Sequence, residues 1–170
     1  MVFFRRRKSR APVTEPTVDE VLLSIARDHM PDTSEDEVRI VAAVAGLVGC
    51  VAYADGHYGP DESREVEALL GRVHDLPRAA VNAICALLDE RIAELARGEV
   101  HEHARVLKAG TEREARLEML DVLMDLAAAD GVITVDETEL LRRVAKLMGL
   151  STDEYVAAQA RHRDKLSVLR

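Results

Sequence analysis

The sequence predicts an all-α fold, and three observations carry that prediction. Alanine occurs 24 times in 170 residues, while aromatic residues make up only 3%. Apolar residues recur at helical spacing along most of the chain. Pro12, Pro16, Pro31, Pro60, Pro77 and most glycines fall between these periodic segments rather than inside them. Helix formers within segments and breakers between them describe a single helical bundle of about seven to eight helices.

The elements follow in order. Thr17 opens a first helix that runs to about Met30, and Pro31 closes it. Ser34 with Glu37 is a capping-box pattern that starts a long helix ending near Ala54. That helix is apolar nearly all round, which places it at the centre of the bundle. Val66, Leu69, Leu70 and Val73 form the stripe of a third helix, and a fourth follows Pro77 and stops near Gly98. Residues 99–110 are charged and fit either a short helix or a loop. Thr111 with Glu114 reads as another capping box, opening a helix to about Ala129. Leu141, Val144, Ala145 and Met148 mark the next, ended by Gly149. Ser151 or Thr152 caps a last helix whose polar C-terminal end is expected to fray.

An internal repeat underlies this layout. A shift of 75 residues lays Val51–Leu70 over Leu126–Ala145. Ala52, Ala54, Asp55, Gly56, Asp61 and Glu62 recur as Ala127, Ala129, Asp130, Gly131, Asp136 and Glu137. Two helix–turn–helix units built alike predict pseudo-two-fold packing within one bundle.

The repeated turn has a structural reading. Thr134 and Glu137 fit a capping box, while Pro60 suits the first helical position. Asp61 and Asp136 then fall where a helix dipole favours negative charge. Gly56 and Gly131 supply a positive φ, and Asp55 and Asp130 can accept backbone N–H groups in the turn. The functional reading uses the same residues. Asp55, Asp61, Glu62, Asp130, Asp136 and Glu137 are candidate oxygen ligands for a hard divalent cation such as calcium, magnesium or manganese. The spacing is not that of an EF-hand loop, since glycine follows the first aspartate at once. A site therefore requires both turns to face each other and pool their acids.

The A-D-G-x-x-x-x-D-E turn, its duplication and the closing K-L-M-G-L-S-T-D-E-Y segment together resemble the TerB-like family over residues 17–165. That family takes in tellurite-resistance proteins and the N-terminal region of a membrane co-chaperone. The resemblance implies an all-helical bundle, a bacterial source and a non-enzymatic role in metal-stress response. It also implies cation binding by acidic residues, at positions matching Asp55, Gly56, Glu62, Asp130, Gly131 and Glu137. One departure is Gly59-Pro60, which stands where the family often has a Ser/Thr cap. No J-domain sequence follows, so chaperone recruitment is not expected. The alternative is a metal-independent scaffold or adaptor that docks a protein partner.

Charge narrows the partners. Residues 1–10 hold five of the 23 basic side chains and none of the 31 acidic ones. The remainder thus carries 18 basic against 31 acidic groups, a balance of −13. An acidic body repels phosphate backbones, so no nucleic acid is expected. Residues 1–16 read as a disordered basic leader, with residues 17–170 as the helical domain. Phe3, Phe4, Arg5, Arg6, Arg7 and Lys8 could bring the leader to an anionic membrane surface. No apolar run follows those arginines, as a secretion signal requires. The longest uncharged stretch, Ile40 to Ala54, spans 15 residues, short of the ~20 of a spanning helix. With only Cys50 and Cys85, no disulfide framework is expected and a cytoplasmic location follows.

Other constellations read as structure. His101 and His103 are two apart, so on a helix they point in different directions and cannot share a metal. His57 has Val132 at its repeat position and reads as a solvated turn residue. Cys50 and Cys85 read as core thiols. Gly46 and Gly49 let a neighbouring helix approach closely. No nucleophile with a base is visible, so no enzymatic activity is expected.

Overall fold

Local capping chemistry sets where most helices begin in the computed structural model, which describes residues 15–73, 76–98 and 100–166. Thr17 caps α1 (Val18–His29) and Ser34 caps α2 (Glu35–Ala52), each in a complete capping box. Pro60 stands first in α3 (Pro60–Leu70), and Pro77 precedes α4 (Arg78–Arg97). α5 (Val100–Gly110) and α6 (Arg113–Ala127) follow. Thr134 caps α7 (Val135–Leu147) and Ser151 caps α8 (Thr152–Ala160), both through boxes closed by Glu137 and Glu154. The architecture is an all-α bundle, and among the described residues no helix is long and apolar enough to cross a membrane. Of the leader read over residues 1–16, residues 1–14, with Phe3, Phe4, Arg5, Arg6, Arg7 and Lys8, lie outside the described part.

α2 is the central helix. Eleven of its eighteen residues are buried, and α1, α3, α4, α5, α6 and α7 all touch it. Burial of each large aliphatic side chain contributes about 1.5–3 kcal/mol. The closest approaches occur at its two glycines. A Cβ on Gly46 would lie 2.4 Å from the His103 ring, and one on Gly49 would lie 2.6 Å from Leu95. α5 occupies the first of these positions, so residues 99–110 include a helix of the inner bundle. Its buried face is Val100, His103, Ala104 and Leu107, at helical spacing.

Two local expectations are corrected. Thr111 and Glu114 do not form a capping box. The Thr111 hydroxyl donates at 2.6 Å to the Leu107 carbonyl at the end of α5, so Glu112 takes the N-cap position of α6 without a side-chain bond. The C-terminal end does not fray at Ala160 either. Residues 163–165 form a 3-10 turn, and Leu166, only 6% exposed, pairs with Ile133 in a single parallel bridge. The Ile133 N–H donates to the Lys165 carbonyl at 2.8 Å, and Lys165 Nζ donates to the Ala128 carbonyl at 3.2 Å. An apolar anchor and two hydrogen bonds therefore strap the tail across the second turn.

The repeat is visible in the packing. α2–turn–α3 and α6–turn–α7 are the two copies, and α2 touches α6. Each copy's second helix also touches the first helix of the other, as a two-fold arrangement requires.

Candidate metal site

Both turns are built from the same bonds. Gly56 has φ +85° and Gly131 φ +93°, with open space where a Cβ would stand, so conformation and not crowding favours glycine there. Asp55 Oδ1 accepts from the His57 N–H at 2.8 Å, and Asp130 Oδ1 from the Val132 N–H at 2.9 Å. Glu62 Oε2 accepts from the Gly59 N–H at 2.8 Å, and Glu137 Oε2 from the Thr134 N–H at 2.7 Å. Each of these four carboxylates thus commits one oxygen to holding its own turn.

The bundle brings the turns together. A cleft of about 560 Å³ is lined by equivalent residues of both copies: Val51 with Leu126, Ala52 with Ala127, Asp55 with Asp130, and Glu62 with Glu137. Asp61 also lines it and is ion-paired with Arg64. Asp136 does not. It lies on the face of α7 that continues through Glu139 and Arg143, at i+3 and i+7, and lines a separate cavity. Five of the six candidate acids therefore share one cleft and the sixth is turned away. Glu65 and Arg64 complete the wall. Repeat matching misses Glu65 because Leu140 is its counterpart; its i+4 spacing from Asp61 is the signal that finds it. Among the described residues, no three His, Cys, Asp or Glu side chains stand grouped as a ready-made metal shell. The cleft concentrates negative charge around space for solvent and does not close a ligand set.

Burial and neighbouring charge act together on one carboxyl of the cleft. Burial raises the Glu137 carboxyl above its ordinary value, opposed by the bonds to Thr134 and reinforced by Asp130 and Asp55. The influence of Asp55 crosses from one copy to the other. A carboxyl raised on folding holds its proton where the unfolded chain has released it. Stability is then lost as pH rises from the ordinary glutamate value of 4.5 through the folded value. Glu137→Gln removes this loss and keeps an acceptor for the Thr134 N–H. Its stability relative to the unchanged protein should rise with pH across that window and level off on either side. Urea unfolding of both proteins from about pH 4 to about pH 7 measures it, and a pH-independent difference would contradict the assignment.

The remaining candidates take structural places. His57 is exposed, with Nδ1 3.8 Å from Asp55 Oδ2. His101 is exposed while His103 is buried against Gly46, so the pair does diverge on its helix. Burial pushes the Cys50 thiol up to about 12 and the Cys85 thiol up to about 11, values that suppress thiolate chemistry.

The family model described as "Tellurite resistance protein TerB" matches residues 41–160, a span that includes both turns. No curated protein and no solved structure matches the chain.

Proposed function

The chain belongs to the TerB family, and from that premise we propose that it is a non-enzymatic, stress-associated domain that holds a hydrated divalent cation in the cleft between its two acidic turns. The observation that carries this reading is the convergence of Asp55, Glu62, Asp130 and Glu137 from both copies on one space. A cation there relieves the repulsion that Asp55 and Asp130 exert on Glu137. Because each of the four carboxylates spends an oxygen on its turn, and no closed shell stands ready, the ion keeps much of its water and is held in part through it. Such binding is weak and oxygen-selective. It favours calcium, magnesium or manganese over zinc, which prefers nitrogen and sulfur ligands.

Thermal melts of chelator-stripped protein test the proposal, with calcium, magnesium, manganese or zinc added at millimolar concentration. Each kcal/mol of binding linkage should raise Tm by about 2–4 °C for a chain of this size. Asp55→Asn/Asp130→Asn keeps the turn acceptors but removes two charges, and should abolish the rise. Equal shifts in both proteins, or none with any ion, would remove the cation reading and leave the acidic face as a docking surface for a protein partner.

A further inference from the structure

A second and larger cavity, about 860 Å³, lies beyond the first turn from the acidic cleft, and Asp55 lines both. Its walls come from the end of α2, the end of α4, the start of α5 and α7. Arg97, Arg142 and Arg143 line it, and among the described residues none of the three makes a hydrogen bond or ion pair. Several other arginines in this acidic chain hold carboxylates, among them Arg27 with Glu35, Arg78 with Glu67 and Arg113 with Glu154. Asp55, Asp136 and Glu139 line the same cavity, yet none closes on a guanidinium. Three arginines thus border one space, Arg142 and Arg143 bordering the adjoining groove beside Tyr155 as well, and guanidinium groups so gathered suit a multiply charged oxyanion.

The surroundings narrow the ligand. α5 opens on this cavity at Val100, adding the positive end of a helix dipole to the arginines. Ala93, Ala96, Leu140 and Leu147 add apolar surface to the same lining. The volume lies within the ~300–1,000 Å³ range of small-molecule sites and exceeds what a bare inorganic anion fills. The repeat supplies a control: Arg142 and Arg143 have Glu67 and Ala68 as counterparts, so the duplicated packing does not require them. We infer that this cavity binds a phosphorylated polyol, its phosphoryl group on Arg97, Arg142 and Arg143 and its hydroxyls donating to the neighbouring carboxylates of Asp55, Asp136 and Glu139. This site shares Asp55 with the cation cleft, but the inference does not rest on cation binding there.

Soluble phosphate esters and lipid headgroups share that chemistry, and the test separates them. Titration calorimetry of the whole chain with metal-free ATP, ribose 5-phosphate and pyrophosphate covers the soluble source. Co-sedimentation with phosphatidylcholine vesicles containing phosphatidylinositol 4-phosphate covers the membrane source. Arg142→Ala/Arg143→Ala changes exposed side chains, so it should fold normally, and should weaken binding to whichever probe engages by at least ~10-fold. Arg72→Ala/Arg163→Ala makes the same change in net charge away from the cavity and should retain binding. No binding to any probe would overturn the inference, as would equal weakening in the two double variants or no change in the first.

Discussion

Gly46→Ala should lower the unfolding free energy by about 1–3 kcal/mol, although glycine to alanine inside a helix is ordinarily stabilising. The sign turns on where the new methyl would go. It would stand 2.4 Å from both Cε1 and Nε2 of His103 and 2.7 Å from Nδ1, broadside against the ring. The ring has little room to retreat, being only 8% exposed with Nε2 3.3 Å from Asp19 Oδ1. Its proximity holds the Asp19 carboxyl below the usual range, so displacing the ring also disturbs the link between α5 and α1. Urea unfolding measures the loss. Adding His103→Ala in the Gly46→Ala background should recover part of it, because the clash is then gone. A single variant as stable as the parent would mean that α5 shifts freely over α2, contrary to the packing described.

Leu166→Ala should cost about 2–4 kcal/mol, within the range for removing a buried leucine. Leu166 is 6% exposed and covers Ile133, which is 1% exposed. Its loss releases the strap that carries the Lys165 bonds to Ile133 and Ala128. The effect should be local as well as global. Hydrogen exchange at the Ile133 amide should accelerate, while the His57 amide, bonded to Asp55 in the other turn, should keep its protection. Equal acceleration in both turns would show that the tail stabilises the bundle without bracing the second turn in particular.

Much of the helical layout was readable because its causes are local. Thr17, Ser34, Thr134 and Ser151 each cap through an acid three residues on, and Gly56 and Gly131 adopt the positive φ that their turns require. The α5 segment was harder for an identifiable reason. Val100, His103, Ala104 and Leu107 have helical spacing, but a histidine at one core position disguises the stripe. Thr111 differs because its hydroxyl turns back to donate to the Leu107 carbonyl at the end of α5 and does not accept from the Glu114 N–H ahead of it. The tail strap had no local signal at all, since Leu166 is buried by a turn more than thirty residues away.

The candidate site divides along the same line. Duplication, the turn chemistry of Asp55 and Asp130, and the capping role of Glu137 are properties of short sequence windows, and the sequence alone determined them. Which acids face one another depends on how α2, α3, α6 and α7 cross, and only the tertiary structure decided that. It gathered Asp55, Asp61, Glu62, Asp130 and Glu137, turned Asp136 to the other side of α7, and added Glu65. The physical reason is range. Caps and turns are closed by hydrogen bonds spanning a few residues, whereas the reach of Asp55 to Glu137 and the meeting of Arg97 with Arg142 and Arg143 at one cavity join groups far apart in the chain.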